Sequence, residues 1–136
     1  MRLSAKAEYG CMAIVALAMQ PSGTGLLRAR EIAETYRIPE RYLVQILLQL
    51  KAAGLVYSTR GSSGGYRLAR DPGQISLGEV LGVIDGPSEP PRDISGPAAE
   101  ALGSVWQRLH ELQRNFLNQI TIAQLVDHSS PLDWVI

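Results

Sequence analysis

Three side chains carry the chemistry of nucleophiles or soft metal ligands: Cys11, His110 and His128. A single cysteine allows no intrachain disulfide and no cysteine-based zinc site within one chain. No Ser/His/Asp constellation accompanies the histidines, and no glycine-rich loop opens a helix to cradle a phosphate, so no enzyme activity is expected. The side chains that do form a pattern are cationic. Residues 1–70 hold ten Lys or Arg against four Glu, a balance of +6; residues 71–136 hold three Arg against nine acids, a balance of −6. The formal net charge of zero therefore hides a basic half. A polyanion responds to the local potential, so the first half is the one expected to meet phosphate. Within it, Arg60-Gly61-Ser62-Ser63-Gly64-Gly65-Tyr66-Arg67 sets two guanidinium groups about a small tip free of apolar bulk. Such a tip suits a phosphate backbone or a minor groove.

The elements that must position these groups follow from periodicity and punctuation. Leu3, Ala7, Cys11, Ile14 and Leu17 recur at helical spacing, with Ser4 as N-cap and Pro21 as stop. Arg2, Lys6 and the apolar run Cys11–Met19 mimic a short signal peptide, but the amphipathic helix is the better reading. No run reaches the ~20 apolar residues of a membrane span, and the lone cysteine fits a reducing cytoplasm. A short helix is expected over 29–36. A second helix starts with Pro39 in its first turn, runs to about Ala53 and ends at Gly54. By themselves these two helices could be an ordinary helical hairpin. The strand-like runs Val56–Thr59 and Tyr66–Ala69, joined through the glycines of 60–65, then add a β-hairpin, and a helix-turn-helix followed by a hairpin is a winged helix.

Beyond it, Ser76-Leu77-Gly78-Glu79 reads as a capping box that opens a helix closed by Gly86. Residues 86–97 contain Pro87, Pro90, Pro91 and Pro97, an irregular loop. One long helix is then expected from Pro97 to about Val126. Its apolar residues Leu102, Val105, Leu109, Leu112 and Phe116 step by three and four, and Ile120 and Ala123 continue the seam less strictly. A domain this small has little left for that seam to cover, so a second copy of the chain is the expected partner. The fold class is thus mainly α with a small β-hairpin wing. The expected organisation is a DNA-binding winged helix at 1–86, a proline-rich loop at 87–97, a dimerisation helix at 98–127 and a tail at 128–136. Trp106 borders the seam, and Trp134 in the tail either covers an apolar patch or lines an effector pocket.

The chain resembles the Rrf-two (Rrf2, or BadM/IscR-type) family of bacterial winged-helix regulators. The resemblance lies in Leu3-Ser4, Glu31-Ile32-Ala33, Tyr42-Leu43, Ile46-Leu47, Leu50, Ala53-Gly54-Leu55-Val56, Ser58, Arg60-Gly61, Gly64 through Arg70, and Ile75 with the helix to Gly86. It covers residues 1–86 closely and the long helix in outline. It implies a homodimer that binds double-stranded promoter DNA at a palindromic site, as a repressor, with the long helices crossing at the interface through Leu102, Val105, Leu109, Leu112, Phe116 and Ile120. It also puts Arg41 and Val44 on the base-facing side of the recognition helix and Arg60 in the minor groove. The expected DNA-contacting set is Arg28, Arg30, Pro39, Glu40, Arg41, Val44, Gln45, Arg60, Gly61, Ser62, Ser63 and Arg67, with Arg70 as a further phosphate contact. The best-studied members of the family carry a glutamate where Val44 stands here, which implies a different operator. Val44 and Leu48 are apolar on an outward face, so one of them either packs or touches a thymine methyl.

Iron–sulfur members of the family carry three cysteines in the loop that here spans 86–97 and has none, so the usual cluster cannot be built there and no cofactor is expected. The signal is then a small metabolite or a partner protein, or binding is constitutive. Two other sensing modes stay open. Glu8, Cys11 and His110 could join residues of a partner chain in an unusual metal site, although one thiolate is thin for a cluster that normally takes four. Alternatively Cys11 is a redox sensor, which requires an exposed, acidified thiol; its apolar position argues for a small hydrophobe instead. A winged helix used only for protein contacts, without DNA, is the contrasting function.

Overall fold

Leu43, Ile46, Leu47 and Leu50 recur every three or four residues, and all four are completely excluded from solvent. They form the inner stripe of a helix over Glu40–Ala52, α3, around which the rest of the chain is assembled. In the computed structural model, which describes residues 3–21, 25–86 and 95–127, the elements before it are α1 (Ala5–Ala18) and α2 (Ala29–Tyr36). After it come strands β1 (Val56–Thr59) and β2 (Gly65–Leu68), a 3-10 turn at Pro72–Gln74, and helices α4 (Leu77–Asp85), α5 (Pro97–Gln119) and α6 (Ile122–Val126). The inner stripe of α3 meets Ala7, Ala13, Ile14 and Leu17 of α1, Ile32 and Ala33 of α2, Val80 and Ile84 of α4, and Ile122 of α6 in one apolar core. Ser22–Thr24, most of the proline-rich loop and the tail with His128 and Trp134 lie outside the described residues.

The local signals act as their chemistry requires. The Ser4 hydroxyl accepts from the Ala7 N–H and caps α1. Between α2 and α3 the chain turns at Arg37, held in the left-handed region at φ 56°, with the Ile38 N–H bonded to the Ala33 carbonyl. That closure drops Ile38 into the core and fixes the angle between the two helices. Pro39 stands just before α3 at φ −56°, ψ 122° and not inside its first turn, so the helix begins at Glu40. Its extended ψ makes it the flanking cap residue, while its carbonyl accepts the Leu43 N–H.

Two expectations are corrected. The Ser76 hydroxyl does accept from the Glu79 N–H, but the Glu79 carboxylate does not reach back to complete the capping box. It pairs with Arg70 at 2.6 Å, and the same guanidinium donates to the Gln74 carbonyl. Arg70 is therefore held against α4 and the 3-10 turn, with its side chain partly exposed. The long helix is also not continuous to Val126. It stops at Gln119, because Ile120 turns into an extended conformation, its carbonyl accepting from the Leu77 N–H at 2.7 Å. The Ile122 N–H donates to the Ile75 carbonyl, and Thr121 bridges Ser76. Ile120 is 5% exposed, in the protomer's own core, and so does not belong to the outward seam. Thr121 then caps α6 in a full capping box with Gln124.

Ile120→Ala should accordingly cost about 2–4 kcal/mol of folding stability in denaturant titrations, by the same amount at every protein concentration. A loss that grew as the protein was diluted would return Ile120 to an intermolecular interface.

Candidate nucleic-acid interface

With its inner stripe buried, α3 turns Arg41, Gln45, Leu48 and Lys51 to solvent, and Val44 lies half-buried beside them. Glu40 and Pro39 are exposed at its N-terminal end. Tyr42 is fixed edge-on against Tyr9 of α1, ring centroids 5.8 Å apart, which ties the first turn of α3 to the helix behind it. From α2 come Arg28 and Arg30, both exposed. The Arg28 N–H donates to the Glu31 carboxylate, so the start of α2 is closed by its own acid. Arg30 pairs with Glu34 at 3.2 Å, in an exposed contact that a phosphate can replace at little cost.

The wing is registered onto this surface by backbone. Leu27, ahead of α2, exchanges two hydrogen bonds with Tyr66 of β2, at 3.0 and 2.7 Å, and so forms a third rung beside the hairpin. A Cβ at Gly65 would lie 2.8 Å from the Leu27 carbonyl oxygen, so the approach needs glycine. β1 and β2 pair antiparallel with Tyr57 opposite Arg67, and the Arg67 guanidinium lies 5.3 Å from the Tyr57 ring centroid. This stacking holds one wing arginine extended along the hairpin. Arg60, Gly61, Ser62 and Ser63 are all exposed at the tip. Neither Arg41 nor Arg60 has an ion pair among the described residues.

Eleven of the twelve residues expected to touch DNA are thus exposed on α2, α3 and the wing, and Val44 is half-buried. Two positioning residues escaped the sequence reading. Tyr57, the platform under Arg67, follows from the hairpin register once Val56 is known to face inward. Leu27 carries no side-chain signal, since its part is played by its backbone.

The residues considered for sensing are arranged differently. Glu8 is exposed on α1 and His110 on α5, and among the described residues no three of His, Cys, Asp and Glu form a metal-binding group. Cys11 is half-buried against the core. Burial, with Asp85 and Glu8 adding negative charge nearby, pushes its thiol up to about 11. Asp85 is positioned there by the Ser4 hydroxyl, which donates to it at 2.8 Å.

Comparison with known proteins adds to this geometry. The family model Rrf2, described as an iron-dependent transcriptional regulator, matches residues 3–128. The provisionally named HTH-type transcriptional regulator Rv1287 of Mycobacterium tuberculosis is 42% identical, over 96% of this chain and 84% of its own length. The HTH-type transcriptional regulator IscR of Klebsiella pneumoniae is 35% identical, over 98% of this chain and 84% of its own. Among solved structures, CymR, the global cysteine regulator of Bacillus subtilis, superposes with a TM-score of 0.80 at 31% identity, over 95% of this chain and 98% of that one. The iron in the family description meets a poor donor set here. One protomer offers one cysteine, and its thiol is held protonated, whereas an iron–sulfur cluster is ordinarily held by four thiolates. The described residues do not fit such a cluster.

The raised thiol has a measurable consequence. Because the folded state holds its proton more tightly than the unfolded chain, Cys11 contributes stability below pH 9 that is lost as the pH rises from 9 through about 11. Alkylation of native protein by iodoacetamide should be far slower at pH 7.5 than that of a free cysteine; equal rates would show an acidified, accessible thiol. By its match over residues 3–128 and by the identity of its relatives, the chain belongs to the Rrf2 family of winged-helix transcriptional regulators.

Proposed function

We propose that the protein is a homodimeric repressor that places α3 in the major groove and Arg60 in the adjoining minor groove of a palindromic promoter site. The observation that carries this reading is that Arg28, Arg30, Arg41, Lys51, Arg60 and Arg67 are all exposed at the start of α2, along α3 and on the wing, with the wing bonded to the segment before α2. A guanidinium at a glycine-rich tip fits a narrow, A·T-rich minor groove, where the negative potential is highest. Arg41, at the start of α3, is within reach of a guanine edge or a phosphate.

Dimerisation rests on α5. Its 23 residues extend about 35 Å, and none of them is buried. Leu102, Val105, Trp106, Leu109, Leu112 and Phe116 are 43–57% exposed along one stripe. An open groove of about 400 Å³ runs beside Ser104, Val105, Arg108, Leu109 and Leu112. A stripe of this length is what a copy of the same helix covers, and a two-fold dimer reads half-sites separated by about one helical turn or a multiple of it. The signal is a small metabolite or a partner protein, with no resident cofactor, and the site of action is the cytoplasm, as the transcription-regulator family suggests.

Two measurements test this. Affinity for promoter duplex should fall steeply with salt, and Arg60→Ala should weaken binding about tenfold and flatten the log–log salt slope by about one. Salt-insensitive binding, or full affinity in Arg60→Ala, would sink the wing assignment. In sedimentation, Leu109→Glu should convert dimer to monomer and abolish tight binding to a two-half-site duplex; an intact dimer would remove α5 from the interface.

A further inference from the structure

We infer that Leu48, together with Val44, reads thymine 5-methyl groups, so that the centre of each half-site is specified as A·T by apolar contact. This rests on the DNA-binding reading above and adds a specificity to it. The inner stripe of α3 is complete without these two residues, since Leu43, Ile46, Leu47 and Leu50 are each at 0% exposure. Leu48 instead stands 52% exposed, more than any other leucine among the described residues, those of the α5 seam included. Val44 lies one turn before it on the same outward side, and side chains four apart on a helix are neighbours. The two form an apolar ridge in the middle of an otherwise polar surface. Arg41 precedes it, Lys51 follows it and Gln45 lies alongside, all exposed.

Base-pair edges in the major groove offer donors, acceptors and one apolar group, the thymine methyl. A branched apolar side chain placed there strips water from whatever it faces. Against a guanine or cytosine edge that leaves polar atoms unsatisfied, whereas against a thymine methyl it buries apolar surface on both sides. Gln45 strengthens the same choice, because its amide can donate and accept at once, the pattern matched by adenine N7 and N6. The cations at either end of the ridge supply the phosphate contacts that hold it at groove depth.

The test begins with duplexes selected from a random library by the full-length protein, in which each thymine is then replaced singly by deoxyuridine, removing only the methyl. One or two replacements per half-site should weaken binding about fourfold, the equivalent of one buried methyl group. Leu48→Ala and Val44→Ala should each lose that sensitivity at a position of its own, while their melting temperatures stay near that of the wild type. If the wild type selects a sequence yet binds every deoxyuridine duplex equally, or if both variants keep full sensitivity, the inference is overturned and the DNA-binding reading stands. If no sequence is selected at all, that reading fails and takes the inference with it.

Discussion

A helix can present a reading surface only if its opposite face is held without slack, and in this protein that constraint falls on Leu43, Ile46, Leu47 and Leu50. All four are sealed from solvent in one core that includes side chains of α1, α2, α4 and α6. Full burial of one such side chain is worth about 1.5–3 kcal/mol, so rotating α3 about its axis to expose even two of them would cost a large share of a small domain's stability. The outward stripe is thereby fixed to within the tolerance of core packing. The Arg37–Ile38 turn sets its direction relative to α2, and the Tyr9–Tyr42 edge contact steadies the first turn. The wing needs its own registration, since a two-stranded hairpin is marginal alone. The Leu27–Tyr66 hydrogen bonds supply it and make the segment before α2 the third rung.

The proposed dimer adds a second requirement, that two such surfaces keep a fixed separation. α5 leaves the domain with its apolar stripe uncovered, yet its end is stitched back by the Leu77–Ile120 and Ile122–Ile75 hydrogen bonds. At the same junction Gly78 lies so close to Asn118 that a Cβ would overlap its side-chain oxygen, so the Asn118 side chain packs against α4 only because the position is glycine. Arg70 ties the end of the wing to α4 through Glu79. These contacts explain why a carboxylate expected in a capping box pairs with Arg70 instead: it lies where the wing, α4 and the base of α5 converge.

Most of this was legible in the sequence, and the failures have a common cause. Periodicity located α1 to α4, and Gly64-Gly65 with the flanking strands located the wing, because those signals are local. Ile120 was misplaced because its spacing fits both the seam and the core. Only the Thr121–Gln124 capping box, present in the sequence, separates the two by announcing a new helix. Glu79 was misassigned because nothing local tells a carboxylate that will close a capping box from one that will pair with an arginine nine residues back. Tyr57 was missed because cross-strand partners follow from register, which the hydrophobic pattern fixes only once the inward face is known.

The same packing bears on how a signal reaches α3. α1 touches α2, α3, α4, α6 and β2, and at Gly10 it lies close to both α4 and α3. A Cβ there would stand 2.9 Å from Ile84 of α4 and 3.4 Å from Ile46 of α3. There is thus no free room for a methyl group at this junction, where a close-packed interior brings α1, α3 and α4 together. α4 is in turn anchored to α5 through Leu77, and its last residue, Asp85, is bonded to Ser4. Gly10 is thus the point at which α1 lies against both Ile84 of α4 and Ile46 of α3. Cys11 lies beside that junction as a protonated, half-buried thiol, and there its bulk shapes the packing while its chemistry stays silent at neutral pH.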